Sequence, residues 1–257
     1  MRDHGLQEAI RAAGGIGELA RRLGISQPSV SNWERIPAER VLTVEQATGV
    51  ARALLRPDLF GSTAGETRDD VDVARAREYA LLAALLRSSP DAQLLQRLCG
   101  LKGDPSPLGL AHAALGAAAE LTDAERVGRE YFDLFIGLGR GELLPYASYY
   151  LTGFLYERPL ARLRGDLKRL GIELTAGQSE PEDHAAILCE IMAHLAGGNG
   201  GTGAATEQEL FEKHLSPWIG RFFTDLEHSR TANFYARVGG LGRTFIEIET
   251  QAFGLPH

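Results

Sequence analysis

Apolar residues recur at helical spacing through most of this chain, and no segment alternates convincingly with the two-residue period of a half-buried strand. The clearest case is a helix predicted from Thr231 to about Phe253. One face of it carries large apolar side chains: Phe234, Val238, Leu241, Phe245 and Ile248. A chain whose apolar surface lies on helix faces must pack helix against helix. The sequence therefore predicts an all-α fold.

A change of composition divides the chain, whose 257 residues are enough for two packed units. The run from Gly61 to Asp70 is small and polar and has no apolar period, which is typical of a linker. We predict a domain of short helices at 1–60, a linker at 61–72 and a larger helical domain at 73–257.

The first domain contains a helix, a tight turn and a second helix. Gly24 ends the first helix, and Ser26 can cap the second, which has Pro28 in its first turn and runs to Trp33. This spacing indicates a helix-turn-helix. The segment 15–33 resembles the Cro-like YdaS family of small DNA-binding domains.

That resemblance implies a DNA-binding face. Val30 and Trp33 face the core, which leaves Gln27, Ser29 and Asn32 free to reach base edges. Four arginines could meet phosphates: Arg21, Arg22, Arg35 and Arg40. The alternative is a degenerate module kept for protein contact, because residues 1–60 hold eight basic against seven acidic side chains, a weak charge for neutralising several phosphates.

The rest of the chain is acidic, with nineteen Lys and Arg against twenty-seven Asp and Glu. Such a surface disfavours nonspecific binding to nucleic acid and suits a positively charged partner.

Two short motifs stand out in the larger domain. The first is Glu180-Pro181-Glu182-Asp183-His184, and the second is His214-Leu215-Ser216-Pro217-Trp218. A capping box of Ser179 and Glu182 would account for the carboxylates of the first motif at a helix start, but not for His184. In the second motif, Trp218, Phe222 and Leu226 have the spacing of a core stripe.

From about Val73 to His257 the chain resembles the TorD/DmsD family, dedicated assembly chaperones of bacterial molybdenum enzymes. The resemblance implies that Glu180, Pro181, Asp183 and His184 line the site that receives the leader peptide of the client. Asp183 would pair with a leader arginine, and His184 would make a hydrogen bond.

An aromatic patch is the second candidate for that site. A family Pro-aromatic pair corresponds to Pro145 and Tyr146, and Tyr149 follows one helical turn later. Tyrosine offers a flat apolar ring with a polar tip, which suits a groove for an apolar peptide.

The glycine-rich stretch 197–203 lacks the Gly-Lys-Ser/Thr ending of a phosphate loop, so a flexible connection is the better interpretation. The family resemblance implies a hinge here, and hence a homodimer formed by exchange of segments.

No catalytic constellation is recognisable. Glu190 and His194 share a helical face, but no second pair completes a metal site. We therefore expect no enzyme activity, no cofactor and no metal. Without a long apolar run or a signal-like N-terminus, we also expect a cytoplasmic protein that does not enter a membrane.

The sequence thus favours a chaperone that holds a molybdopterin-containing oxidoreductase, through its twin-arginine leader or its apo catalytic subunit, until cofactor insertion and folding are complete. The alternative is a helix-turn-helix regulator that binds operator DNA and senses a client protein or peptide through its helical domain.

Overall fold

The computed structural model describes residues 3–50, 52–56, 68–173, 180–198 and 204–254. They belong to two compact units, Met1–Thr67 and Arg68–His257. Within the described ranges the secondary structure is helical, apart from one isolated β-bridge. The predicted all-α fold is confirmed.

The first unit is a cluster of short helices around a small apolar core. A 3-10 turn, Ala38–Arg40, separates α3 from α4. The helices are α1 (His4–Ala13), α2 (Ile16–Arg22), α3 (Gln27–Ser31), α4 (Val41–Thr48) and α5 (Arg52–Leu55). The core side chains include Leu6, Leu19, Val30, Ile36, Val41 and Leu55.

Helices α2 and α3 form the predicted helix-turn-helix. Gly24 turns the chain between them with a φ of +66°, a left-handed conformation that glycine adopts without strain. The Ser26 hydroxyl accepts the backbone N–H of Ser29 at 3.4 Å, which confirms the predicted N-cap. The helix ends at Ser31 rather than Trp33, because the N–H of Trp33 closes a tighter turn on the carbonyl of Val30 at 3.2 Å.

The second unit contains the longer helices, and two of them continue into π-helical turns. Residues 61–67 of the predicted linker lie outside the described ranges, and the first helix of this unit already begins at Arg68. The helices are α6 (Arg68–Arg87), α7 (Ala92–Cys99), α8 (Pro107–Glu120), α9 (Ala124–Tyr131), α10 (Ala147–Thr152), α11 (Arg158–Arg169), α12 (Ala185–Ala196), α13 (Ala204–Leu210), α14 (Ile219–Glu227) and α15 (Phe234–Phe253). The π turns are Phe132–Ile136 after α9 and Phe211–Leu215 after α13.

Helix α12 packs along α6, and α15 packs against α14 and α8. Close approach of α14 and α15 depends on glycine, because a Cβ atom at Gly239 would lie 2.4 Å from the backbone nitrogen of Glu227. The core is rich in aromatic rings, and the predicted stripe of Trp218, Phe222 and Leu226 is buried within it.

A buried ionic network, which the sequence did not reveal, joins three helices. The guanidinium of Arg75 on α6 contacts both carboxylate oxygens of Glu249 on α15, at 2.7 and 2.6 Å, and one oxygen of Glu207 on α13 at 2.5 Å. The hydroxyl of Tyr79 donates to Glu249 at 2.9 Å. Glu249 is therefore fully paired in the interior.

Candidate functional site

An isolated antiparallel bridge between Tyr146 and His184 brings the two predicted patches together. The N–H of Ala147 donates to the carbonyl of Asp183 at 3.0 Å, and the N–H of Ala185 donates to the carbonyl of Pro145 at 2.8 Å. These bonds fix the start of α10 against the start of α12. Residues that are almost forty positions apart thus form one site.

Asp183 is buried, with 1% of its surface exposed. One of its oxygens, Oδ2, accepts the backbone N–H of Ser148 at 2.8 Å and also accepts the Ser148 hydroxyl. That N–H belongs to the first turn of α10, where a helix leaves its donors unpaired. Asp183 therefore caps a distant helix, and its carboxylate is buried. That it pairs with an arginine of a leader peptide stays a prediction.

His184 is also buried and caps its own helix. Its Nδ1 accepts the N–H of Ala186 at 3.1 Å, and its ring lies edge-on to the ring of Tyr146, with centroids 5.0 Å apart. Burial lowers the pKa of His184 to about 4, so the imidazole is neutral at pH 7. Its role here is to hold the two helix starts together.

The predicted capping box is wrong. Ser179 lies outside the described residues, and α12 begins at Ala185 with His184 as its N-cap. Glu182 instead pairs with the guanidinium of Arg164, whose Nε lies 2.8 Å and whose Nη2 lies 2.7 Å from Oε2 of Glu182. Hydrogen bonding to Arg164 lowers the pKa of Glu182.

Glu180 is exposed and lies beside the bridge, in contact with the hydroxyl of Tyr146. Tyr146 donates this hydroxyl to Oε2 of Glu180 at 2.6 Å, while its ring is half-buried. Burial raises the pKa of Tyr146, and the hydrogen bond to the Glu180 carboxylate raises it further. Pro181 is half-buried and its carbonyl accepts the N–H of His184 at 3.0 Å, so it shapes the turn that presents Glu180.

Tyr149 does not join Tyr146. Its hydroxyl accepts from Nη2 of Arg140 at 2.7 Å, and the same guanidinium lies 5.2 Å from the centre of its ring. Tyr149 borders a different cavity of about 410 Å³, together with Tyr150, Arg221 and Asp225. The predicted aromatic patch is thus divided, with Tyr146 at the bridge and Tyr149 at this second cavity.

A cavity of about 340 Å³ lies beside the bridge, between α10, α11 and the π turn after α13. Its apolar walls are Ala147, Leu151, Pro159 and Leu163, and its polar walls are Arg162, Asp166, Asp183, Lys213 and His214. The two sequence motifs therefore meet here. A groove with apolar walls and a few polar groups is suited to binding an extended peptide or a single side chain.

Asp166 and His214 form a pair across this cavity that sequence reasoning missed. The Nε2 of His214 lies 2.8 Å from Oδ2 of Asp166, and this hydrogen bond lowers the pKa of the carboxyl. The only signal in the sequence was His214 itself. Its partner is 48 positions away on α11, and no local pattern connects them.

In the first unit, the proposed base-reading side chains of Gln27, Ser29 and Asn32 are all exposed. Two of the arginines predicted to contact phosphates are instead paired with an acidic side chain, because Glu18 lies between them. It accepts the Nε of Arg21 at 2.9 Å and lies 3.3 Å from the Nε of Arg22. Arg22 also donates to the carbonyl of Ala47 at 3.1 Å.

Arg35 is exposed as well. Glu18 neutralises part of the charge of Arg21 and Arg22, so these two arginines offer phosphates less positive charge than the sequence suggested.

In the part of the chain that the structure describes, no helix is long and apolar enough to cross a membrane. Over the same ranges, no group of three His, Cys, Asp or Glu side chains is placed to hold a metal ion.

Comparisons with known proteins match two different families to two separate parts of the chain. The family described as nitrate reductase delta subunit matches residues 101–224, and the family described as bacterial toxin YdaS matches residues 6–64. Chaperone protein TorD of Shewanella loihica is 26% identical over 204 residues, which cover 70% of this chain and 93% of that protein. The resemblance to both families is confirmed.

Two further relatives have the same name. Chaperone protein TorD of Escherichia coli O81 is 27% identical, and the match covers 67% of this chain and 93% of that protein. For the Vibrio atlanticus protein the identity is 27%, with 54% of this chain and 69% of the relative covered. A solved structure from Archaeoglobus fulgidus, described as a candidate redox enzyme maturation protein, has 21% identity and a TM-score of 0.46 over 67% of this chain and 93% of its own.

Proposed function

We propose that this protein is a cytoplasmic chaperone, not an enzyme, that binds a molybdopterin-containing oxidoreductase through its leader peptide or apo catalytic subunit until the cofactor is inserted. The observation that carries the proposal is the similarity to chaperone protein TorD over as much as 70% of the chain. The site supports a binding role, because it contains a groove with apolar walls beside an exposed carboxylate.

In this proposal Glu180 meets the arginines of the leader, and Tyr146 holds Glu180 in place before the leader arrives. Asp183 and His184 act indirectly, because they fix the backbone that carries these two residues. The acidic balance of the second unit adds a longer-range attraction for a basic peptide.

The client is identified by capturing the tagged full-length protein from its host and analysing bound proteins by mass spectrometry. Recovery of the catalytic subunit of one molybdenum enzyme supports the chaperone; recovery of none contradicts it. Exchange of segments between two protomers remains a proposal, and residues 199–203 of its glycine-rich hinge lie outside the described residues.

With the client's leader as probe, Glu180→Gln is expected to weaken binding up to about fivefold at low salt, as removal of one exposed ion pair does. The matched control is Glu182→Gln, because Glu182 is already paired with Arg164 and should contribute little. Fluorescence anisotropy of the labelled leader at two salt concentrations measures both variants. If the two substitutions weaken leader binding equally, Glu180 is not part of the binding site.

A second candidate function is operator binding by the first unit, which is favoured by the match to the YdaS family and by the exposed side chains of Gln27, Ser29 and Asn32. Gel shifts with the promoter of the neighbouring genes test it. We expect Gln27→Ala with Asn32→Ala to weaken a saturable shift by at least about fivefold. Arg11→Ala on α1 serves as control, and a shift that does not depend on DNA sequence contradicts the regulator.

A further inference from the structure

Helix α8 exposes an apolar face over most of its length. The two most exposed side chains are Leu110, at 61%, and Leu121, the residue that directly follows the helix, at 82%. Between them Ala113 and Ala117 are exposed and Ala114 is partly exposed. We call these five residues the α8 face. Single exposed apolar residues are ordinary on a protein surface, but a contiguous group of this kind marks an interaction site.

Packing within the second unit does not account for the α8 face. The side of α8 that meets its neighbours α7 and α15 carries the buried residues Gly109, Leu115, Gly116 and Ala119. Successive residues of a helix are rotated by about 100°, so the five positions of the α8 face lie within one arc of about 100° on the other side. A helix that is covered on one side normally carries polar residues on the exposed side. The apolar composition of the α8 face therefore needs another explanation.

The α8 face has almost the same pattern in both chain directions. Leu110 and Leu121 lie at its two ends, and Ala114 and Ala117 are equally far from its midpoint. When two identical helices pack antiparallel about a two-fold axis, each residue meets the one at the mirrored position, as an isologous contact requires. Leucine would then meet leucine at both ends and alanine would meet alanine at the centre, where small side chains let the helix axes approach closely. The α8 face is thus complementary to itself.

Charge favours the same partner and the same direction. The chain has a net charge of -7, but no acidic or basic residue belongs to the α8 face, so two copies can meet there without repulsion. Glu120 is exposed at the end of α8, and Lys102 is exposed in the loop before its start; neither has an ionic partner among the described residues. Antiparallel pairing brings Glu120 of one copy toward the end of the partner helix that Lys102 precedes, whereas parallel pairing would bring like charges together.

We propose that a second copy of this chain covers the α8 face, so that two copies form a two-fold symmetric dimer through antiparallel α8 helices. With 14 residues, α8 is about 21 Å long. A contact of that length buries less than the roughly 1,200 Å² of a standard stable interface. The dimer is therefore weak and reversible, with a dissociation constant in the micromolar range. Each chain stays folded on itself, unlike in an exchange of segments, and the dimer does not depend on the proposed function.

The first test is analytical ultracentrifugation of the full-length protein from micromolar to hundreds of micromolar. We expect the average mass to rise from that of a monomer toward that of a dimer as the concentration rises. Ala117→Glu places a carboxylate at the centre of the contact and should weaken association at least about tenfold. The matched control is Gln96→Glu, which adds the same charge at an exposed position of α7 and should leave association unchanged. Circular dichroism establishes that each variant is folded.

The second test measures which residues meet. Ala117→Glu protein mixed with Ala117→Lys protein should associate again, because the two central charges are then opposite. Under mild oxidation, a mixture of Leu110→Cys and Leu121→Cys proteins should form more cross-linked dimer than either variant alone, because antiparallel helices place these two positions together. The wild-type protein is the control, since it contains Cys99 and Cys189 but no thiol on the α8 face.

Several outcomes overturn the inference. One is a wild-type protein that stays monomeric over the whole concentration range, and another is equal association of the Ala117→Glu and Gln96→Glu variants. A Leu110→Cys protein that cross-links with itself as well as with Leu121→Cys contradicts the antiparallel contact. Loss of client binding in Ala117→Glu without loss of self-association overturns it in favour of the client as occupant. Failure of client capture contradicts only the proposed function, because self-association is measured on the purified chain.

Discussion

Arg75→Ala is expected to lower the free energy of unfolding of the second unit by about 3 to 5 kcal/mol, the range typical of removing one partner from a buried ion pair. The substitution leaves the carboxylates of Glu249 and Glu207 in the interior without their shared cation. Burial already raises the pKa of Glu207, so this carboxylate has little solvent to compensate it. Urea denaturation of the full-length protein, followed by circular dichroism, measures the loss.

Arg77→Ala is the matched control, because Arg77 is an exposed arginine two positions along the same helix. Its effect should stay within about 0.5 kcal/mol. The double variant Arg75→Met with Glu249→Gln should be more stable than Arg75→Ala, because it removes the most buried charge along with its partner. A double variant that is less stable than the single one would show that packing of the arginine, not its charge, holds the helices.

Asp183→Ala is expected to lower the free energy of unfolding by about 2 to 4 kcal/mol, because it leaves two buried donors of Ser148 without an acceptor. Thermal and urea unfolding measure this loss. Ser148→Ala provides a matched comparison, since it removes the hydroxyl but keeps the bond from the backbone N–H. It should cost no more than about 1.5 kcal/mol.

The same variants separate two roles for Asp183. If Asp183 positions the site, binding of the client's leader should fall in proportion to the loss of stability, and Ser148→Ala should weaken both mildly. An Asp183→Ala protein that unfolds like the wild type but no longer binds the leader would instead mean that the carboxylate touches the client.

Much of the fold was predictable because it depends on local patterns. Ser26 and Gly24 defined the helix-turn-helix, and the spacing of Trp218, Phe222 and Leu226 identified a core stripe. Periodicity was also sufficient to predict the last helix, although its observed start is Phe234 rather than Thr231. Neighbours three or four positions apart determine such features, so a single sequence contains them.

The environment of the site was not predictable, because it depends on contacts between distant positions. The sequence shows Asp183 and His184 as polar residues, and only the fold shows that α10 needs Asp183 as a cap. Glu249 and Arg75 are 174 positions apart, and nothing near either one indicates the other. The exposed Leu110 was overlooked for the opposite reason, since an apolar residue in a sequence is normally expected to be buried.

The orientation of His214 depends on the number of residues in the π turn at Phe211–Leu215. A π turn contains one residue more than the α-helical turn it replaces, and each residue of a helix rotates the next by about 100°. Here it turns the imidazole of His214 toward Asp166 and leaves the His214 carbonyl to accept the indole N–H of Trp218 at 2.8 Å. Loss of one residue ahead of His214 in this turn would restore α-helical spacing and rotate His214 by about 100°, away from Asp166, even if every remaining residue kept its identity.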